Sequence, residues 1–158
     1  MTDVLIISVN GTPGAQGSKR HVGRGVMVES SKKVKPWRSD VKDAAERTIA
    51  SLEHFAPWAV LDGPLHASIT FRFPRPKGHY RTGRNAHLLR DSAPVWPTSR
   101  ALGDVDKLVR STFDALVSAG VAADDSLFAR VLAEKVWCSD GQPAGALIRI
   151  RPLTAAVA

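Results

Sequence analysis

Three aspartates in the second half of the chain have the types and spacing of a metal site. Asp104 and Asp106 stand two residues apart, and Asp125 follows nineteen residues after Asp106. Where extended chain enters a helix, a spacing of two places both carboxylates on one side. Mg²⁺ takes hard oxygen ligands, usually one or two carboxylates completed by water and substrate phosphate. A bound divalent ion polarises a phosphodiester and activates water, so the pattern indicates metal-assisted phosphodiester hydrolysis.

A structural explanation of the same aspartates stays open on spacing alone. Aspartate is favoured at helix starts because it caps free N–H groups and complements the helix dipole. Asp124-Asp125-Ser126 is also a common turn sequence. If a metal is bound, histidine and cysteine are not expected among its ligands. The five histidines show no ligand spacing, and Cys138 is the one cysteine. A carboxylate set favours a hard cation, Mg²⁺ with Mn²⁺ as a substitute.

Basic residues are concentrated in two segments of this chain, whose net charge is +7 and whose pI is about 10.1. Residues 17–38 and residues 72–100 each hold seven cationic side chains and one acidic side chain, whereas the rest of the chain is acidic. Two basic segments around an acidic remainder favour a polyanionic partner over a merely solubilising surface. The candidate DNA contacts are Lys19, Arg20, Lys32, Lys33, Lys35, Arg81, Arg84, Arg90 and Lys107.

Hydrophobic periodicity predicts six elements in the order β-α-β-α-β-β. The predicted strands cover about 4–9, 65–73, 127–138 and 146–151, and the predicted helices cover about 37–55 and 105–119. Residues 11–35 and 74–103 are predicted to be long loops. The expected fold is therefore a single small α/β (α+β) domain over residues 1–152, with a mixed sheet, two helices and a frayed tail at 153–158.

Several classes of protein are disfavoured by the sequence. The apolar run Val4–Ile7 is too short for a signal peptide, and no run approaches the ~20 residues that span a bilayer. Residues 11–19 are rich in glycine but lack the phosphate-loop pattern, so no nucleotide cofactor is expected. We expect a cytoplasmic protein without a membrane partner.

The segment 104–126 resembles the core signature of the RusA family of Holliday-junction resolvases. It contains Asp104-Val105-Asp106-Lys107-Leu108, Phe113-Asp114-Ala115-Leu116, Gly120 and Asp124-Asp125-Ser126 in the family's order. The likeness extends more loosely to Lys35-Pro36-Trp37-Arg38 and to the order of elements. The resemblance implies a Mg²⁺-dependent homodimer that nicks four-way DNA junctions symmetrically. Such enzymes serve recombination, repair or phage DNA processing, and they are common in phages and prophages of bacterial hosts.

The resemblance also assigns roles to individual residues. The family's catalytic, metal-binding aspartates fall on Asp104, Asp106 and Asp125, and its catalytic lysine falls on Arg110. Arginine keeps the charge but cannot act as an acid near neutral pH, so Lys107 is an alternative for that role. Two other functions stay open: a nucleic-acid-binding protein whose acids are structural, and a flap-directed or RNA-directed nuclease with the same metal site.

The position of Asp125 raises a question of reach. A helix over 105–119 spans about 20 Å, with Asp104 and Asp106 at its start and Asp125 beyond its end. Residues 120–125 must either run back along the helix, almost fully extended, or meet a second copy. If the helix packs antiparallel to its mate, Asp125 of one chain approaches Asp104 and Asp106 of the other. Both routes are compatible with the sequence.

Overall fold

A computed structural model describes residues 5–17, 19–29 and 31–154, without the side chains of residues 19, 20, 28 and 29. Val4, the side chains of Lys19 and Arg20, and residues 155–158 of the expected tail therefore lie outside the described part. The strands are β1 (Leu5–Asn10), β2 (Lys19–His21), β3 (Met27–Glu29), β4 (Leu65–Phe73), β5 (Phe128–Trp137) and β6 (Gly145–Pro152). The helices are α1 (Val34–Glu53) and α2 (Val105–Ser118).

Four strands form a mixed sheet in the order β1-β6-β4-β5. β5 runs parallel to β4, while β6 is antiparallel to both β4 and β1. A parallel pair requires a long crossover, which here contains residues 74–104 and α2. The predicted order of four strands and two helices is confirmed. The predicted loop 11–35 also contains the short antiparallel pair β2–β3. The sequence does not predict these strands, because three residues are too few to show alternation.

One face of the sheet packs against both helices in a single core. β4 shows why this happens: Leu65, Ala67, Ile69 and Phe71 alternate with polar residues and are all buried. The alternation matches the period of two that places every second side chain on one face. Trp37 of α1 lies fully inside this core, where its indole Nε1 donates to Thr112 Oγ1 of α2 at 3.1 Å. The two helices are thereby fixed relative to each other.

Residues 74–104, which we call the basic lobe, fold without long strands or helices. The lobe contains three 3₁₀ turns and an isolated antiparallel bridge between Tyr80 and Leu89. Trp137 at the end of β5 anchors it, since the indole Nε1 donates to Pro94 O at 3.0 Å. The Arg75 guanidinium lies 5.1 Å from the centre of the Trp137 ring. The lobe is therefore attached to the end of the sheet at which β4 ends and the chain continues towards α2.

Both helix boundaries lie close to those that the sequence predicts. α1 begins three residues earlier than expected, at Val34, which puts Pro36 inside the first turn rather than at its first position. A proline is tolerated there because the first-turn N–H groups have no partner within the helix. Beyond β6, Leu153 N donates to Pro64 O at 2.7 Å. Within the described residues, neither helix has the length and apolarity needed to cross a membrane.

Candidate active site

The N-terminal end of α2 presents two exposed carboxylates. Asp104 precedes the helix in extended conformation, and Asp106 lies in its first turn. The Asp104 side chain accepts no capping hydrogen bond from any amide that the structure describes. It instead pairs with the Lys107 ammonium, with 2.9 Å between Oδ2 and Nζ. A helix cap is therefore not the role of Asp104, which leaves its carboxylate at the surface beside that of Asp106.

Cations around Asp104 lower its pKa further below neutrality. The hydrogen bond and the charge of Lys107 hold the pKa of Asp104 below its usual value, and the charges of Lys135 and Arg100 act in the same direction. The pKa of Lys107 is raised in turn by Asp104. An ionised carboxylate is the form that binds a divalent cation. Asp104 is therefore ready to act as a ligand at any pH near neutrality.

The chain enters α2 through a closely packed glycine. Gly103 has φ +84°, and a Cβ built on it would lie 2.3 Å from Ala15 Cβ. Lys135 of β5 donates from Nζ to Gly103 O at 2.9 Å. On the other side, Gln16 N donates to Lys107 O at 3.1 Å. The position of Asp104 is consequently fixed by contacts from Ala15 and Gln16 and from β5.

Lys135 is a residue that the sequence interpretation missed. Lys135 lies on the core side of β5, because Ala133 and Trp137 share its side of the strand and pack against the core. A lysine at such an apolar-side position needs a polar destination, and the carbonyl of Gly103 provides one. A charged residue in the apolar register of a strand was the pattern that could have revealed it.

Some of the predicted cationic residues lie close to this end of α2, and the others with described side chains are exposed. Lys33 donates from Nζ to Ala101 O at 3.3 Å, which joins the first basic segment to the residues just before Asp104. Arg110 is exposed one helical turn after Asp106 and has no ion-pair partner within residues 5–17, 19–29 and 31–154. The other exposed candidates with described side chains are Lys32, Lys35, Arg81, Arg84 and Arg90.

Two of the three arginines predicted to contact DNA in the basic lobe, Arg81 and Arg90, help to hold the lobe together. Arg81 pairs with Asp91 at 3.1 Å and donates from Nε to Leu89 O at 3.2 Å. Arg90 donates from Nε to Tyr80 O at 2.7 Å. Arg84 makes no such contact with the described residues. Of the three, Arg84 is the one whose whole guanidinium is available to DNA.

The C-terminal end of α2 holds Asp125. Gly120, with φ +75°, follows the helix, and the amide of Val121 donates back to Leu116 O at 3.0 Å, as in a glycine-ended helix. Leu61 then fixes the next residues: its amide donates to Val121 O at 3.1 Å, and it accepts from Ala123 N at 3.0 Å. The segment after α2 therefore stays at this end and does not run back along the helix.

Asp125 lies in a hollow of about 330 Å³ lined by Arg38, Asp114, Val117, Ser118, Asp124 and Asp125. Arg38 of α1 forms an ion pair with Asp114. Asp124 accepts from Ser126 N at 2.9 Å, and hydrogen bonds from the Ser126 side chain and amide hold the pKa of Asp124 below its usual value. Both neighbours are thus engaged locally, while Asp125 is exposed beside them.

The three aspartates do not meet in one chain. In the described part of the protein, no three acidic, histidine or cysteine side chains form a group that would hold a metal ion. The pair Asp104 and Asp106 nevertheless fits a hard divalent cation, since both are exposed oxygen donors and Mg²⁺ commonly takes one or two carboxylates. Asp125 is separated from them by the 14 residues of α2, about 20 Å of helix.

Comparison with known families decides the assignment. The family model described as endodeoxyribonuclease RusA matches residues 10–151, which include both ends of α2. The chain belongs to the RusA family of endodeoxyribonucleases. This match confirms the resemblance carried by residues 104–126. DNA junctions are the substrate class of the RusA family. The comparison with curated proteins gave no match.

Proposed function

We propose that this RusA-family chain is a Mg²⁺-dependent endonuclease that cuts four-way DNA junctions, with Asp104, Asp106 and Asp125 as its metal ligands. The observation that carries the proposal is the exposed carboxylate pair at the N-terminal end of α2, surrounded by cations inside the family match. Carboxylates repel a phosphate backbone unless a cation lies between them. A bound divalent ion supplies a Lewis acid for the phosphate and an activated water.

The cations beside the pair divide the remaining work. Lys107 is engaged by Asp104 and lowers the pKa of that carboxylate. Arg110 is exposed and unpaired within the described residues, one turn from Asp106. A guanidinium can bind two oxygens of one phosphate. We therefore assign to Arg110 the binding of the scissile phosphate and its developing charge, and to Lys107 the orientation of Asp104.

A homodimer is proposed to complete the site. The pairing of residues 121–123 with Leu61 keeps Asp125 at the far end of α2, so a single chain offers two of the three carboxylates at one place. Antiparallel packing of α2 against its mate brings Asp125 of each copy to the carboxylate pair of the other. Two such centres in one dimer suit paired cuts in a two-fold-symmetric junction.

The two basic segments are proposed to bind the junction arms. Lys33 and the basic lobe border the carboxylate pair, so DNA that contacts them passes over Asp104 and Asp106. The other proposed contacts in the two basic segments are Lys19, Arg20, Lys32, Lys35 and Arg84. We place the activity in recombination, repair or the processing of branched phage DNA, in the cytoplasm of a bacterial host.

A substrate panel tests the proposed function. Labelled four-way junction, flap, fork, duplex, single-stranded DNA and an RNA junction are incubated with the protein in Mg²⁺, in Mn²⁺ and in EDTA. We expect paired cuts in the DNA junction with either metal and none in EDTA. Preferential cutting of flaps or RNA would make that nucleic acid the substrate in place of the four-way DNA junction. Junction binding without cutting in any metal would identify a binding protein, and full activity in EDTA would refute the metal site.

A further inference from the structure

The face of the sheet opposite the helices carries a cluster of arginines. Arg130 of β5, His66 of β4 and Arg151 of β6 lie side by side in register, and in the next row Ser68 lies opposite Arg149. Residues paired across neighbouring strands project to the same face. His66, Ser68, Arg149 and Arg151 line a hollow of about 230 Å³. Two guanidinium groups thus line one small hollow, and Arg130 lies beside His66 in the same row.

The positive charge of this cluster is not neutralised by a protein acid. Across residues 5–17, 19–29 and 31–154, the side chains of Arg130, Arg149 and Arg151 form neither an ion pair nor a hydrogen bond. Burial lowers the pKa of His66, and the charges of Arg151 and Arg130 lower it further. The His66 Nδ1 atom is buried and has no hydrogen-bond partner among the described groups. Unpaired guanidinium groups beside this polar atom form a cationic surface suited to an anion.

We propose that this cluster binds a phosphate of the DNA backbone, forming a second DNA contact on the face of the sheet away from α2. Guanidinium groups grip phosphate oxygens in pairs, and the Ser68 hydroxyl adds a further donor. The inference rests on the proposed function, because a four-way junction has arms beyond the strands being cut. Arg130 follows Asp125 by only five residues, so an arm that passes the Asp125 end of the protein can reach the cluster.

The test compares two charge-matched double variants. Arg149→Gln/Arg151→Gln removes two cations from the cluster, whereas Lys42→Gln/Arg47→Gln removes two from the exposed side of α1. Junction affinity is measured by fluorescence anisotropy in EDTA over a range of NaCl concentrations. Each lost phosphate contact lowers the log–log salt slope by about 0.9. We expect that decrease for the cluster variant alone, with cleavage at saturating protein changing less than affinity does. Equal slopes for both variants would overturn the proposal.

Two further measurements keep the outcome clear. Arg130→Gln, a single change on the edge strand, should also lower the slope, and thermal unfolding verifies that each variant is folded. NMR of the His66 imidazole distinguishes the ligand source: junction DNA should shift its resonances. A shift with orthophosphate but none with DNA would identify a free-anion site and overturn the DNA contact. Because binding is measured in EDTA, a wild-type protein that binds but never cuts would refute the proposed nuclease without deciding this inference.

Discussion

The two ends of helix α2 both carry aspartates, but their surroundings differ. At the N-terminal end, Asp104 and Asp106 are exposed, and nearby cations lower the pKa of Asp104. At the C-terminal end, Asp114 is paired with Arg38 and Asp124 holds a turn, which leaves Asp125. One end offers a carboxylate pair with free cations nearby, and the other offers a single available carboxylate.

The difference means that neither end alone holds all three carboxylates of the proposed metal site. The proposed site uses three carboxylates, and about 20 Å of helix separates the pair from the third. The chain between them is fixed by its pairing with Leu61, so flexibility does not close the gap. The proposed function therefore depends on a second copy that joins the two ends, and the following experiments probe each end separately.

The largest effect is expected from removing a carboxylate at either end. Asp106→Asn and Asp125→Asn should each slow junction cleavage by at least about 100-fold, because each removes a proposed metal ligand. Junction binding should persist or tighten, since a repelling charge is lost. Single-turnover cleavage and anisotropy measure the two quantities, with the exposed Asp140→Asn as the control. A normal rate for Asp125→Asn would show that the C-terminal end has no part in the chemistry.

A smaller loss is expected from Lys135, which supports only the N-terminal end. Lys135→Met removes the hydrogen bond to Gly103 O and a charge that lowers the pKa of Asp104. We expect about 10-fold to 100-fold weaker metal affinity or activity, as for other groups that orient ligands. Mg²⁺ titrations of cleavage measure the change, and Lys135→Arg should recover part of it. Loss of stability with an unchanged Mg²⁺ requirement would reduce Lys135 to a packing residue.

Gly103 tests how strictly the entry into α2 is built. Gly103→Ala forces a side chain into left-handed backbone and against Ala15, which should destabilise the fold by about 1–3 kcal/mol. Gly78→Ala is the matched control, because open space surrounds that glycine and its backbone is not left-handed. Urea unfolding of both variants gives the comparison. Equal stability would mean that the entry adjusts without difficulty.

The smallest effect is expected in the basic lobe. Arg84→Ala should lower the salt slope of junction binding by at most about 0.9, the value for one phosphate contact, and should leave unfolding unchanged. Arg90→Ala should in addition destabilise the lobe, because it removes the hydrogen bond to Tyr80 O. Limited proteolysis within residues 74–104 detects that loosening. An unchanged slope for Arg84→Ala would place this arginine away from DNA.

The sequence predicted the regular elements better than it predicted the site. The alternation in β4 gave its bounds at Leu65 and Phe73 without error, because nine residues of period two are distinctive. The pair Asp104 and Asp106 was also placed at the start of a helix. Lys135 was missed, since its meaning depends on the register of β5 against β4. The pairing of Leu61 with residues 121–123 is a long-range contact that no local pattern specifies.

Mixing two inactive variants is the most direct test of a site built from both ends of α2. Asp106→Asn and Asp125→Asn proteins are combined, allowed to exchange subunits, and assayed for junction nicking in Mg²⁺. In a shared arrangement the mixed dimer keeps one intact centre, so nicking should return to about a quarter of the wild-type level. Mixing Asp104→Asn with Asp106→Asn, which alters the same end twice, should restore nothing. If the first mixture stays as inactive as the second while mixed dimers form, each metal site lies within a single chain and the account is wrong.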